Sequence, residues 1–149
     1  HGVFFDNAHG QNQCKKYFPT IKKSDQHAML LDVKQQLTDY FQGKRQQFSL
    51  PIAMWGTEFQ WSAWQQLAKI PYGKTICYGE QATKLGDKNK ARAVGMANGA
   101  NPISIIIPCH RVIGASGKLT GFGGGLEAKL FLLQLEGVQV PEAMQASLF

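Results

Sequence analysis

The run Ile103-Ser104-Ile105-Ile106-Ile107 passes directly into Pro108-Cys109-His110-Arg111-Val112. This stretch constrains the fold more than any other. A short apolar run of this kind reads as a buried strand. It therefore delivers a thiol and an imidazole, side by side, to the edge of the core. The thiolate is the reactive form of cysteine, and a nearby imidazole can take the proton. A Cys-His pair alone is a weak signal, and its meaning depends on the rest of the chain.

At 149 residues the chain is long enough to bury a core without staples and short enough for one domain with a small appended subdomain. The net charge of +6 leaves two readings open: a polyanionic partner, nucleic acid first, or simply a basic protein. The three cysteines, Cys14, Cys77 and Cys109, are odd in number and widely spaced. That argues against a disulfide framework and fits a reducing compartment. The apolar runs fall far short of bilayer length, so no membrane span is expected. No signal peptide is visible. The chain starts at His1 rather than Met, which leaves room for residues missing from the true start.

Residues 1–52 read as a small α/β support unit. Gly2-Val3-Phe4-Phe5 is strand-like, Asn7-Ala8-His9-Gly10 has turn chemistry, and Tyr17-Phe18 suggests a second short strand. Residues 25–42 carry an amphipathic helix with Leu30, Val33, Leu37 and Tyr40 or Phe41 on one stripe. Ser24 or Asp25 can cap it, and Gly43 ends it. Lys44 to Phe48 and Pro51 form a linker.

Residues 53–149 are better punctuated. Thr57 and Gln60 have capping-box spacing for a helix that carries Phe59, Trp64 and Leu67 and stops before Pro71-Tyr72-Gly73. A short helix from Tyr78 to Leu85 is ended by Gly86, and a second from Lys90 to Asn98 by Gly99. Two short helices joined by a tight connection suggest a helix-turn-helix. The second is rich in small residues (Ala91, Ala93, Gly95, Ala97), which permits close approach to another surface. Six basic residues, Lys69, Lys74, Lys84, Lys88, Lys90 and Arg92, surround it. They form either a solvated face or a phosphate-contacting one. A last helix spans Leu126 to Glu136, with Gly137 closing it. Trp55, Trp61 and Trp64 are assigned to core and interdomain packing in preference to a base-stacking platform. His9, Cys14 and His27 match no close metal template, so no metal is expected.

From Phe59 to Gly137 the sequence resembles the catalytic domain of the O6-alkylguanine-DNA alkyltransferases. The matching segments are Ile70-Pro71-Tyr72-Gly73-Lys74-Thr75, Tyr78-Gly79, Ala91-Arg92-Ala93-Val94-Gly95, Asn101-Pro102, Ile107-Pro108-Cys109-His110-Arg111-Val112, Gly124-Gly125 and Glu136-Gly137. The resemblance implies an α+β protein: a small N-terminal sheet-plus-helix subdomain, then a mainly helical, winged helix-turn-helix-like catalytic domain. It implies a DNA repair protein that moves the alkyl group from O6-alkylguanine and O4-alkylthymine irreversibly to its own cysteine, once per molecule. Cys109 is then the nucleophile, His110 the base acting through a water, Glu136 the group that orients His110, and Tyr78 the proton donor to the departing base. Ala91, Arg92, Gly95, Lys90 and Asn98 would face the minor groove of double-stranded DNA, with Arg92 filling the space of the flipped base. Asn101 is the hinge between the recognition helix and the nucleophile. Val112, Phe122 and Gly123 line the substrate pocket, while Arg111 makes structural hydrogen bonds. No cofactor is implied. A monomer acting on chromosomal DNA in the cytoplasm is the corresponding expectation.

Some positions depart from the family pattern. Phe122 stands where a Tyr is usual, which removes a hydroxyl near the leaving base. Gly123 offers only a backbone N–H. Cys77 beside Tyr78 is expected to be a buried bystander. Two other readings compete. Related damage sensors bind alkylated DNA without transfer, but they lack the cysteine present at 109. A Cys-His hydrolase would need an oxyanion hole and would leave the basic helix unexplained.

Overall fold

Buried side-chain amides cross-link the helices of the second half of this molecule, around an apolar cluster centred on Trp64 and Leu67. The structure is a computed structural model that describes residues 7–17, 20 and 26–141. Six α-helices are described: α1 (Ala8–Tyr17), α2 (Ala28–Phe41), α3 (Glu58–Ala68), α4 (Tyr78–Lys84), α5 (Ala91–Gly99) and α6 (Leu126–Leu135). Two short strands, β1 (Ile76–Cys77) and β2 (Val112–Ile113), pair in parallel with Ile76 opposite Val112. The protein is thus mixed α and β, with a mainly helical second half, as expected. The expected strand at 2–5 lies outside the described residues. No helix among them is long and apolar enough to cross a membrane.

The helix boundaries follow local chemistry. Thr57 Oγ1 accepts from the Gln60 backbone N–H at 3.2 Å while Gln60 Oε1 accepts from the Thr57 N–H at 2.9 Å, the reciprocal box its spacing predicts. At α4 the same device uses sulfur. Glu80 N–H donates to Cys77 Sγ at 3.4 Å, and Cys77 N–H donates to the Glu80 carboxylate at 2.5 Å. Cys77 is therefore a half-buried helix cap, not a buried bystander. Residue 27, not Ser24 or Asp25, precedes the first turn of α2, and its side chain makes no cap.

Three expectations fail for physical reasons. Asn7–Gly10 is not a turn, because α1 already begins at Ala8, and Tyr17 ends that helix instead of starting a strand. Turn-prone residues set local preference only weakly against helical continuation. The apolar run 103–107 is a tight buried turn rather than a strand. Ile107 N–H bonds back to Ile103 O at 2.9 Å, and Asn101 clasps the turn from both sides. Its Nδ2 donates to Ile107 O at 2.7 Å, and its Oδ1 accepts from Ile103 N–H at 3.0 Å. Ile105 sits at φ +76°, a costly conformation for a β-branched residue. The turn sends Ile105 into a cluster with Tyr40 and Leu132, and Ile103, Ile106 and Ile107 into another with Trp64, Leu67 and Ile70. Of the tryptophans only Trp64 is core; Trp55 and Trp61 are 61% and 39% exposed.

α3, α4 and α5 are locked by three polar side chains. Trp64 Nε1 donates to Ala97 O at 2.8 Å, tying α3 to the last turn of α5. Gln81 and Asn98 exchange reciprocal amide bonds at 2.8 and 3.2 Å, and Gln81 also donates to Ala63 O at 3.1 Å. Asp87 caps the short turn between α4 and α5 by accepting from Asn89 N–H at 2.9 Å. This gives a rigid helix-turn-helix whose second helix buries Val94, Ala97 and Asn98 and leaves the other side open.

Candidate active site

The β1–β2 pair brings the site together. β2 follows immediately on the one-turn 3-10 helix Cys109–Arg111, and β1 runs directly into Tyr78 at the start of α4. Parallel pairing of these two-residue strands sets the tyrosine beside the nucleophile segment. Pro108, at φ −83° and ψ 66°, makes an inverse γ-turn in which Cys109 N–H bonds to Ile107 O at 2.9 Å. Cys109 and His110 therefore lie in a helical turn and not on an extended strand. Successive side chains still diverge there: His110 points to Glu136, while Cys109 packs in the cluster of Ile103 and Val112.

Glu136 organises the centre. It follows the last residue of α6 and is 4% exposed, so it is not the solvated helix-end carboxylate that its position would suggest. Its Oε1 accepts from Tyr40 Oη at 2.7 Å, Arg111 Nη2 at 2.8 Å and His110 Nε2 at 2.9 Å. Its Oε2 accepts from Arg111 Nε at 2.9 Å and from Gly73 N–H at 3.1 Å. Burial alone would raise its pKa. The bonds from His110 and Arg111, with Tyr40 adding to them, outweigh burial and bring it down to about 2. Arg111 also donates to Ile70 O at 2.6 Å, the structural role expected of it. Gly73 sits at φ +70°, and a Cβ there would meet Glu136 O at 2.8 Å. The Pro71-Tyr72-Gly73 turn thus packs on the end of α6, with Tyr72 Oη donating to Leu135 O at 2.9 Å and the Gly73 N–H reaching the carboxylate.

An ionised Glu136 fixes the His110 tautomer, because Nε2 must then carry the proton it donates. Nδ1 is left as a buried acceptor with no partner among the described residues. Burial, against the pull of Glu136, lowers the imidazole pKa, so the ring is neutral near pH 7. Burial also raises the Cys109 thiol. Hydrogen bonding from Asn101, the charge of Lys129 and Ser104 work against that rise. The resting pair is a protonated thiol and a neutral imidazole with a free acceptor nitrogen.

Tyr78 Oη donates to Thr120 O at 3.2 Å and lies 3.4 Å from Gly121 O; burial raises its pKa. Gly95 of α5 is directly against its ring, 3.7 Å from Cε1 to where a Cβ would stand. Phe122 packs on the cluster containing Cys109, with its ring 6.3 Å from that of His110. Val112 is wholly buried, and its N–H bonds to Cys109 O.

Sequence reasoning did not single out Tyr40 or Lys129. Lys129 is fully buried, and its Nζ donates to Val112 O at 2.6 Å and Thr120 O at 2.7 Å. It lies 5.8 Å from the centre of the Tyr78 ring. Burial lowers its pKa to about 8, against the opposing influence of Cys109. A signal for it existed: Lys129, Leu132, Leu133 and Glu136 fall at i, i+3, i+4 and i+7, all buried.

The expected basic residues lie on and around the helix-turn-helix. Lys69, Lys74, Lys84, Lys88, Lys90 and Arg92 are all exposed. On α5, Arg92, Ala93 and Met96 face outward, Met96 at 75% exposure, and Ala91 and Gly95 are half-buried. Asn98 is a correction. It is 5% exposed and paired with Gln81, so it holds α5 to α4 and does not line the outer face.

Comparison with known proteins agrees with this arrangement. Residues 58–138 match the family model of the 6-O-methylguanine DNA methyltransferase DNA-binding domain, and residues 5–54 match that of the same family's ribonuclease-like domain. The chain belongs to the 6-O-methylguanine DNA methyltransferase family. It is 55% identical over 106 residues to the methylated-DNA–protein-cysteine methyltransferase of Methanosarcina acetivorans, covering 71% of this chain and 68% of that one. It is also similar to Mycobacterium tuberculosis OGT solved in complex with DNA, with 54% identity, a TM-score of 0.70, and coverage of 71% of this chain and 66% of that one. The O6-methylguanine-DNA methyltransferase of Pyrococcus kodakaraensis superposes over 93% of this chain and 86% of its own, at 26% identity and a TM-score of 0.72. The chain spans about two thirds of the length of the curated relatives it matches, from 64% to 68%.

Proposed function

We propose that this protein repairs alkylated DNA by moving the alkyl group from O6 of guanine, and from O4 of thymine, to Cys109. The observation that carries this reading is the buried Cys109–His110 segment with Glu136 fixed at His110 Nε2, linked through Tyr78 and Asn101 to a basic helix-turn-helix. The names of the relatives, and the DNA bound by one of them, support it. A non-enzymatic damage sensor is not favoured, because the cysteine is present and has a base beside it.

The chemistry follows from the proton positions. The thiol proton passes through a bridging water to His110 Nδ1, and Glu136 steadies the imidazolium that forms. The sulfur attacks the alkyl carbon, the carbon–oxygen bond breaks, and its electron pair goes to the base oxygen. The departing guanine gains a proton from Tyr78, which releases the Thr120 carbonyl to do so. The imidazolium then reprotonates the tyrosine, so one proton leaves the thiol and one enters the base. A thioether results, and thiol exchange cannot reverse it, because that reaction acts on disulfides. Each molecule acts once and needs no cofactor.

Arg92, with Ala91, Gly95 and Lys90, lies on the face that we assign to the minor groove, and the exposed lysines neutralise phosphates. Asn101 joins the end of α5 to the nucleophile turn. Residues 53–149 carry the chemistry, and residues 1–52 support it, in part through Tyr40. A monomer acting in the cytoplasm completes the reading. Cys109→Ser tests it: the variant should bind an O6-methylguanine duplex as the wild type does and leave its methyl group in place. Methyl loss from the duplex with this variant contradicts the reading.

A further inference from the structure

Gly123 lies in the 120–125 loop, between the nucleophile and α1. On one side of this loop Tyr78 Oη meets Thr120 O and Gly121 O, and Phe122 packs against the cluster of Cys109. On the other side is the start of α1. Asn7 Nδ2 donates to Gly123 O at 2.9 Å across 116 residues of sequence. A Cβ on Gly123 would stand 3.0 Å from His9 Cδ2 and 3.2 Å from His9 Nε2. The φ of Gly123 is outside the left-handed region, unlike that of Gly121 and Gly125. No left-handed φ therefore calls for glycine at this position. What a side chain would press on is the imidazole of His9, which would have to give by a few tenths of an ångström to admit a Cβ.

We propose that His9 and Asn7 are specificity-determining residues for alkyl transfer. The His9 ring takes the place of the side chain that Gly123 lacks, and Asn7 clamps its carbonyl. The N-terminal helix thereby sets the position of the Phe122–Gly123 wall and the size of alkyl group that fits beside Cys109. This rests on the reading of the site as an alkyl acceptor. It extends that reading to a part of the chain that sequence analysis treated only as support. It also accounts for a glycine where no backbone constraint requires one.

The test is a double-mutant cycle between His9→Ala and Gly123→Ala. It is read as the ratio of single-turnover rates on O6-benzylguanine and O6-methylguanine in the same duplex, so that DNA binding cancels. His9→Ala should raise the benzyl-to-methyl ratio by about tenfold, the scale on which a methylene-sized change in a pocket discriminates. Gly123→Ala should slow both substrates when His9 is present and regain its rate when His9→Ala is added. Asn7→Ala should move the ratio in the same direction as His9→Ala and speed amide exchange at 121–125. Independent effects of the two substitutions, or an unchanged ratio in both His9→Ala and Asn7→Ala, overturn the proposal. Wild-type protein that accepts neither alkyl group on Cys109 would instead refute the alkyl-acceptor reading beneath it.

Discussion

Glu136 and Arg92 are both charged residues of the proposed machinery, yet their surroundings are opposite. Glu136 is buried and receives bonds from Tyr40, His110, Arg111 and Gly73. Arg92 stands exposed on the outer face of α5. The difference follows from what each region must do. Displacement at carbon needs a base held in one tautomer, in a dry and preorganised setting. DNA must be met by charges that surrender their water and counterions only on contact. The central region should therefore be brittle to substitution, and the outer face tolerant in stability but sensitive in DNA-dependent rate.

Glu136→Gln offers the largest break in this comparison. It leaves Arg111 buried without its counter-charge, and loss of one partner of a buried pair costs about 3–5 kcal/mol. The melting temperature should fall sharply, and transfer to Cys109 with it. Acid titration sharpens the point. The Glu136 pKa is about 2 in the folded protein, below an ordinary value of 4.5, so the folded state binds fewer protons than the unfolded state in that window. The stabilisation is fully present above about pH 4.5 and is lost as pH falls toward 2, by roughly 3 kcal/mol. Glu136→Gln should flatten that acid limb in denaturation curves; an unchanged limb would place the acid sensitivity elsewhere.

Arg92→Ala should leave stability within about 0.5 kcal/mol, as exposed substitutions do. Its rate on methylated duplex should fall roughly a hundredfold, because base extrusion costs a few kcal/mol. Its rate with free O6-benzylguanine should hold. Equal losses on both substrates would remove Arg92 from extrusion.

Lys129→Met comes next in expected size. The lysine charge favours the Cys109 thiolate, so its loss should slow transfer by about tenfold, the worth of one charge-assisted bond. The pH–rate profile should move to higher pH, because the thiol becomes harder to ionise. In the wild type the benefit should fade above about pH 8, where Lys129 loses its own charge. A profile that stays in place would make Lys129 purely structural.

Phe122→Tyr carries the smallest expected effect. A hydroxyl that bonds the departing base only in the transition state should raise the rate about two- to tenfold. A slower and less stable variant would mean instead that the pocket has settled around phenylalanine and buries the new hydroxyl without a partner. Single-turnover rates and melting temperatures separate these outcomes.

Much of the catalytic half was legible in the sequence because its signals are local. Thr57–Gln60, Gly86, Gly99 and Gly137 mark helix ends through short-range bonding, and those boundaries hold within a residue or two. The buried turn at 103–107 was not legible. A short apolar run has the same appearance whether it is extended or folded on itself, and the clasp of Asn101 is a tertiary feature. Asn98 was misread for a related reason. Its partner Gln81 lies on another helix, and no spacing announces a reciprocal amide pair. Tyr40 was visible as a helix-stripe residue, but its bond to Glu136 spans 96 positions. Cys77 shows a thiol acting as a cap where a hydroxyl is the expected residue.

The central claim is that one alkyl group ends on Cys109 and stays there. Intact mass of the wild-type protein after incubation with excess O6-methylguanine duplex tests it most directly, followed by peptide mapping. The account predicts a single added methyl group per molecule, on the peptide containing Cys109, and no further loss of methyl from DNA once every molecule is modified. Continued turnover on an unmodified protein, or a methyl group on Cys14 or Cys77, would contradict it.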